Sequence, residues 1–144
     1  MATDMHQAEG DKQGRVLVVD DDSEVRKVVC RHLAKAGYDV VEAEDGEKGI
    51  QAMKTGDNVL MVDTIICDIH MPKIKGTEAI PYFRTQYPSV PVVVLTGFPE
   101  TDLAVSLMKQ GVKDYLVKPV AKEKLLAVIK KTVSEHVLTV AHAT

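Results

Sequence analysis

The sequence has few cysteines and no long apolar run, and these absences exclude two classes of protein. Cys30 and Cys67 are the only cysteines among 144 residues, and neither has the CxxC or Cys/His spacing of a structural metal site. Both fall within apolar patterns, which predicts buried reduced thiols rather than a disulfide-bonded secreted fold. No window approaches eighteen continuous apolar residues, so a membrane span is not expected.

The charge balance shows no basic excess. Eighteen Lys and Arg residues stand against 21 Asp and Glu residues, for a formal net charge of -3. We therefore expect no direct binding of nucleic acid or of an anionic membrane by this chain. The first residues, MATDMHQAEGDKQG, lack the apolar region of a secretory signal. A cytoplasmic location is expected, with residues 1–14 as a flexible lead-in.

From Arg15 onward, short apolar runs alternate with segments of helical periodicity. The pattern predicts five strands, at 16–19, 38–43, 64–67, 91–95 and 115–117. It predicts five helices, at about 24–36, 47–54, 77–87, 101–110 and 121–137. Mostly continuous apolar strands that alternate with helices indicate an α/β fold, a doubly wound parallel sheet covered on both faces. We expect one domain over 15–137 and a tail at 138–144.

Local signals predict where some elements begin and end. Ser23, or alternatively Asp22, is expected to cap the first helix and Gly37 to end it. Asp45-Gly46 is expected to form a turn, and Pro81 to lie in or near the first turn of the third helix. Four histidines have no ligand spacing and are expected at the surface: His6, His32, His136 and His142.

Polar side chains follow four of the five predicted strands. Asp20 and Asp21 follow the first strand and Asp68 the third. Thr96 follows the fourth strand and Lys118 the fifth. Ligands of open α/β sheets bind beyond the carboxyl ends of the strands, so these groups are expected to meet at one edge. Taken singly, each has a structural alternative: a capped loop for Asp68, a strand end for Thr96, and a solvated charge for Lys118.

The chemistry of this set favours a phosphoryl site. Neighbouring carboxylates repel one another, burial raises that cost, and a divalent cation relieves both. All-oxygen ligation suits Mg²⁺ or Mn²⁺, and magnesium commonly fills its other positions with water and phosphate oxygens. No Ser/His pair, Cys/His pair or glycine-rich P-loop is evident. A carboxylate is therefore expected to be the nucleophile, with Asp68 the best candidate and Thr96 and Lys118 contacting phosphoryl oxygens.

Four motifs, VLVVDDD, CDIHMPKIKG, VVVLTG and GVKDYLVKP, occur in this order. Together they resemble the CheY-like receiver domain of the response regulators of bacterial two-component signal transduction, from about Arg15 to Val137. The resemblance implies a flavodoxin-like sheet of strand order 2-1-3-4-5. It also implies a switch rather than an enzyme, phosphorylated on Asp68 by a sensor histidine kinase or a phosphotransfer protein. The partner would be a downstream protein or an output domain, and a phosphorylation-dependent homodimer is left open.

The resemblance also implies metal ligands. Asp21 and Asp68 would bind Mg²⁺ directly together with the main-chain carbonyl of His70, and Asp20 would support the metal through water. Asp22 is an alternative member of the acidic pair, although the spacing of the motif favours Asp20 and Asp21.

The resemblance also implies roles for residues that follow or belong to the fourth and fifth strands. Thr96 and Tyr115 would be a switch pair that carries the signal to the face of the fourth helix, fifth strand and fifth helix. For Tyr115 a sheet-edge aromatic without a switching role is the alternative. The Lys118-Pro119 bond would be cis. Gly97 departs from the alanine usual in the family but stays small.

Two other interpretations remain at this point. A phosphatase of the haloacid dehalogenase type also uses an aspartate nucleophile and Mg²⁺, but it needs a second Asp where this chain has His70, and a cap insertion is not apparent. The chain is alternatively the receiver half of a longer transcriptional regulator.

Overall fold

Five parallel strands form one sheet in the computed structural model, which describes residues 12–69, 76–97 and 101–143. The strands are β1 (Arg15–Val19), β2 (Asp39–Ala43), β3 (Val62–Asp68), β4 (Val92–Thr96) and β5 (Asp114–Val117). Their order is β2-β1-β3-β4-β5, and every neighbouring pair is parallel. The predicted fold class and strand order are confirmed.

The described ranges contain six helices, one more than predicted. They are α1 (Ser23–Lys35), α2 (Gly46–Met53), α3 (Asn58–Met61), α4 (Gly76–Gln86), α5 (Thr101–Lys109) and α6 (Lys122–Ala143). The additional helix is the single turn α3, which contains the apolar residues Val59, Leu60 and Met61 that precede β3. Helix α6 continues beyond its predicted end near 137. No helix in the described part of the chain is long and apolar enough to cross a membrane.

Two apolar cores lie on opposite faces of the sheet because successive side chains of a strand alternate between faces. Val16 and Val18 of β1 belong to one core, and Leu17 and Val19 belong to the other. Helices α1 and α6 cover the first core, with Leu33 and Ile129 fully buried there. The second core contains buried residues of α2, α4 and α5: Met53, Ile80, Phe83 and Leu107. Both faces of the central strands are therefore covered, as their continuous apolar runs predicted.

Some of the predicted helix ends are correct and others are wrong. Gly37 ends α1 with φ +98°, in the left-handed region that glycine favours. The cap of α1 is Asp22 rather than Ser23, since its carboxylate accepts hydrogen bonds from the amides of Glu24 and Val25. Asp45 similarly caps α2, so the predicted Asp45-Gly46 turn is a helix start. Pro81 is the sixth residue of α4, beyond the predicted first turn.

Helix α6 is joined to the beginning of β3 by polar contacts. His136 Nδ1 lies 2.8 Å from Asp63 Oδ1, and the hydroxyls of Thr64 and Thr132 are 2.9 Å apart. His136 is only 6% exposed, so its predicted surface position is wrong. The reason is that the folded sheet brings Asp63, 73 residues away in sequence, against this turn of α6.

The two cysteines lie in the cores as predicted. Both are free and buried. Burial raises the pKa of the Cys30 thiol to about 12 and also raises the pKa of Cys67. Neither thiol is therefore an activated nucleophile.

Candidate functional site

The ends of four strands bring the predicted polar residues to one edge of the sheet. Asp20 directly follows β1, Asp68 ends β3, Thr96 ends β4, and Lys118 directly follows β5. Asp20, Asp68 and Thr96 are at most 3% exposed. The Lys118 ammonium lies 2.8 Å from Asp20 Oδ2 and 3.1 Å from Asp68 Oδ2. The convergence expected from the strand order is therefore present.

Lys118 is held in this position by its neighbours. Its main-chain amide donates to the carbonyl oxygen of Thr96 at 2.7 Å, and the bond to Pro119 is cis, as the resemblance implied. Burial alone lowers the pKa of the Lys118 ammonium, but the attraction of the Asp20 and Asp68 carboxylates outweighs it and leaves the pKa raised. The side chain is therefore a permanent cation in neutral solution.

Three carboxylates form one cluster beside this cation. Asp20, Asp21 and Asp68 each offer an oxygen, and these oxygens all lie within 4.8 Å of one another. Asp20 and Asp68 are buried, whereas Asp21 is exposed. Desolvation raises the pKa of Asp21, and repulsion from Asp68 adds to the effect. The cluster therefore holds more negative charge than the single ammonium compensates.

The uncompensated charge and the burial of the cluster affect Asp20 strongly. Its Oδ1 accepts a hydrogen bond from the amide of Asp22 at 2.9 Å. Its Oδ2 is buried without a hydrogen bond, because Lys118 approaches it closely but not in hydrogen-bonding geometry. Burial raises the pKa of Asp20 to about 6, with a smaller contribution from Asp68 and opposing effects of Lys118 and Asp22.

This donor set fits a magnesium-type cation. It consists of oxygen atoms only, includes a buried carboxylate oxygen without a hydrogen bond, and contains two acids whose pKa is raised. Hard divalent cations prefer such ligands, and their charge offsets the repulsion among them. The predicted contribution of the His70 carbonyl lies outside the described residues, as do residues 71–75.

Tyr115 lies on the same face of the sheet as Thr96. In the β4–β5 register, Val94 pairs with Tyr115 and Thr96 pairs with Val117, two residues further along. Tyr115 is half-buried and packs against the core that contains Val94. Its proposed switching role remains a prediction.

The structure adds one residue that the sequence analysis did not assign to the site. Arg26 Nη1 donates to the main-chain oxygen of Asp20 at 2.6 Å, and Arg26 Nε donates to Glu42 Oε1 at 3.1 Å. A weak signal was available, since Arg26 is only four residues beyond the cap Asp22. Cations are disfavoured at helix N-termini, so an arginine there suggests another reason for its presence.

Comparison with known proteins extends this description. The family described as "Response regulator receiver domain" matches residues 16–130. The DNA-binding transcriptional regulator NtrC of Escherichia coli (strain K12) is 33% identical over 125 residues, which cover 87% of this chain and 26% of NtrC. The chain thus spans about a quarter of that relative's length. The match favours the receiver interpretation over a phosphatase of the haloacid dehalogenase type.

Solved structures agree with the sequence comparison. A response regulator receiver domain protein from Clostridium thermocellum is similar with a TM-score of 0.81 and 28% identity, covering 88% of this chain and 98% of the other. The chemotaxis protein CheY4 of Vibrio cholerae gives a TM-score of 0.75 and 30% identity, covering 83% and 98%. The similarity therefore covers nearly the whole of both solved chains.

Proposed function

This chain belongs to the response regulator receiver domain family of two-component signalling, and from that premise we propose that Asp68 is its phosphoacceptor. The observation that supports the proposal is the placement of the Asp68 carboxylate, which is buried at the end of β3, 3.1 Å from the Lys118 ammonium and within 4.8 Å of two further acids. Because β3 is buried from Thr64 to Asp68, core packing rather than a mobile loop holds the acceptor.

The proposed reaction is an in-line phosphoryl transfer. An Asp68 carboxylate oxygen attacks the phosphorus of a phosphohistidine, the new O–P bond forms as the N–P bond breaks, and the leaving imidazole nitrogen keeps the electron pair and takes a proton. The Lys118 ammonium stabilises negative charge on the phosphoryl oxygens, and the Thr96 hydroxyl contacts one of them. Asp21 and Asp68 would hold Mg²⁺ or Mn²⁺ directly, with Asp20 in support. When bound, the cation neutralises charge on the transferring group.

Phosphorylation is proposed to change the structure through Thr96 and Tyr115. Their shared face of the sheet supports a concerted movement, in which Thr96 turns toward the phosphoryl group and Tyr115 follows into the space released. The surface formed by α5, β5 and α6 then differs between the two states. The domain works as a switch, with no catalytic activity beyond its own phosphorylation and dephosphorylation.

The partners follow from the same chemistry. The donor is a sensor histidine kinase or a phosphotransfer protein in the cytoplasm. The recipient of the signal is a downstream protein or an output domain, since NtrC carries a DNA-binding function and CheY4 is a chemotaxis protein. This chain itself binds neither nucleic acid nor membrane, and its phosphorylated form is a candidate homodimer. The division into a lead-in at 1–14, a receiver at 15–137 and a tail at 138–144 is part of the proposal.

A phosphorylation assay tests the proposal. Wild type and Asp68→Asn are incubated with acetyl phosphate, with and without Mg²⁺, and the covalent product is measured by mass spectrometry. We expect one phosphoryl group on wild type with Mg²⁺ and none on Asp68→Asn. The control is Asp57→Asn, which removes an exposed carboxylate that pairs with Arg15. Equal labelling of wild type and Asp68→Asn contradicts the Asp68 assignment.

A further inference from the structure

We propose that Arg26 is a positioning residue that fixes the acidic end of β1 for metal binding and for phosphorylation of Asp68. The inference rests on the proposed function and adds a residue to it. Arg26 does not contact the reacting atoms. It acts through the peptide that joins Asp20 to Asp21, the two acids that follow β1.

The contacts of Arg26 connect three elements. The side chain extends from the first turns of α1 and is only 15% exposed. One nitrogen, Nη1, donates to the main-chain oxygen of Asp20 at 2.6 Å, beyond the end of β1. Another, Nε, donates at 3.1 Å to Glu42 on β2. A guanidinium that uses two of its nitrogens on different elements fixes their relative position.

The main-chain oxygen of Asp20 is important because it belongs to the peptide group that joins the two acids following β1. The carbonyl of residue 20 lies in the planar unit that also contains the α-carbons of Asp20 and Asp21. A short charge-assisted bond to that oxygen therefore restricts rotation of the whole plane. Both carboxylates project from the α-carbons of this plane, so its rotation changes their separation from Asp68.

The same peptide segment is held from β2 on both sides of residue 20. The amide of Asp20 donates to the main-chain oxygen of Ala43 at 3.1 Å. The carbonyl is held by Arg26, which in turn is oriented by Glu42, the neighbour of Ala43. The edge strand β2 contributes no ligand to the site, yet in this arrangement it determines where the ligands of β1 lie.

Local helix preference does not explain an arginine at this position. The first turn of a helix has a positive dipole end, which favours acidic residues and disfavours cations. The two long-range contacts do explain it, and they make a specific demand. A lysine keeps the positive charge but has no planar fork, so it reaches Asp20 or Glu42 but not both.

The first measurement uses the protein without metal or phosphodonor. Amide hydrogen exchange is followed in wild type, Arg26→Gln, Arg26→Lys and Glu42→Gln, with Arg31→Gln as a control on the exposed side of the same helix. The reporter is the amide of Asp22, which donates to Asp20 Oδ1. We expect about tenfold faster exchange of this amide in Arg26→Gln, a smaller increase in Arg26→Lys and Glu42→Gln, and unchanged exchange in β4.

The second measurement is the apparent dissociation constant for Mn²⁺ or Mg²⁺. Residues that support metal ligands typically change metal affinity about 10- to 100-fold when they are replaced, and we expect the lower end for Arg26→Gln. The phosphorylation rate with acetyl phosphate should fall at low Mg²⁺ and recover toward the wild-type rate at saturating Mg²⁺. Because Glu42 acts through Arg26, the double variant should match Arg26→Gln rather than add a further loss.

The outcomes separate this inference from the proposed function. Wild-type exchange at Asp22 and wild-type metal affinity in Arg26→Gln overturn the inference, whatever the phosphorylation result. Full recovery by Arg26→Lys overturns the two-contact argument, because charge alone is then sufficient. Faster exchange throughout β4 in all three variants also overturns it, because the residue then serves only stability. A wild type that accepts no phosphoryl group contradicts the proposed function, while a local effect of Arg26→Gln at Asp22 still supports the positioning role.

Discussion

Raising the pH of the metal-free protein is expected to destabilise the fold through Asp20. Burial holds the pKa of this carboxyl at about 6, against 3.8 for an ordinary aspartate. The folded state therefore binds the Asp20 proton more tightly than the unfolded state does. The resulting stabilisation is fully present below pH 3.8 and is lost as the pH rises through about 6.

The size of the effect follows from the two pKa values. A difference of about two corresponds to roughly 3 kcal/mol, at 1.36 kcal/mol for each pKa unit. This is a large part of the 5–15 kcal/mol that typically stabilises a domain, so the change is measurable. Asp21 has a raised pKa as well and acts in the same direction. The contribution of Asp20 is therefore isolated by comparing wild type with Asp20→Asn.

The assay is urea unfolding in the presence of a chelator, followed by circular dichroism from about pH 4 to pH 8. The free energy of unfolding of wild type should decline across this range, and that of Asp20→Asn should decline less, by up to roughly 3 kcal/mol. Added Mg²⁺ at pH 8 should stabilise wild type more than Asp20→Asn, because the ligand binds the folded state. As a control, Asp57→Asn should not flatten the dependence of the free energy of unfolding on pH. The hydrogen bond from Arg15 lowers the pKa of exposed Asp57, so this group acts in the opposite direction to Asp20. Parallel curves for wild type and Asp20→Asn would refute the role assigned to burial.

Three substitutions test the packing around the site and at the opposite edge. Gly49→Ala should cost about 1–3 kcal/mol in urea unfolding, because a methyl group there would come within 2.8 Å of Val19 in the core. Gly97→Ala should leave the free energy of unfolding unchanged and the phosphorylation rate within about twofold of wild type. The nearest atom to the added methyl group would be Lys118 Cδ, at 3.9 Å. His136→Leu should lower the free energy of unfolding by about 1–3 kcal/mol, because its partly buried aspartate partner, Asp63, loses a donor.

For each of these substitutions, one result would contradict the prediction. A Gly49→Ala protein as stable as wild type would mean that the core relaxes around the added methyl group. A tenfold slower phosphorylation of Gly97→Ala would show that the space near Lys118 is needed for the donor. For His136→Leu the control is His32→Leu, on a less buried helix position. An equal loss of stability in both would remove the special role of the contact with β3.

The residues of the candidate site could be predicted from the sequence because each of them ends or directly follows a predicted strand. Apolar runs that end in Asp20, Asp68, Thr96 and Lys118 can be aligned without any knowledge of side-chain contacts, and parallel strands bring their carboxyl ends together. The strand order was not contained in these runs and came from the family resemblance. The roles of His70 and Tyr115 came from the same source and stay predictions.

The errors share a physical cause, which is that the decisive contacts are distant in sequence. His136 has no local pattern that indicates burial, and its partner Asp63 is 73 residues away. Arg26, on helix α1, likewise contacts Glu42, which lies on strand β2. The single turn α3 forms from Asn58–Met61, where local apolar character fits strand and helix equally well. Each of these requires the assembled sheet before it can be recognised.

The contact between α6 and the beginning of β3 places the first turn of that helix and the turn that contains His136 at opposite ends of the sheet. Helix α6 begins at Lys122, close after the site residue Lys118, whereas His136 meets Asp63 at the far end of the strand that carries Asp68. Five residues of β3 span about 17 Å, which is too far for direct contact with a phosphoryl group on Asp68. A protein that docks at the far pole would thus respond to displacement of packed atoms rather than to contact with the proposed phosphoryl group.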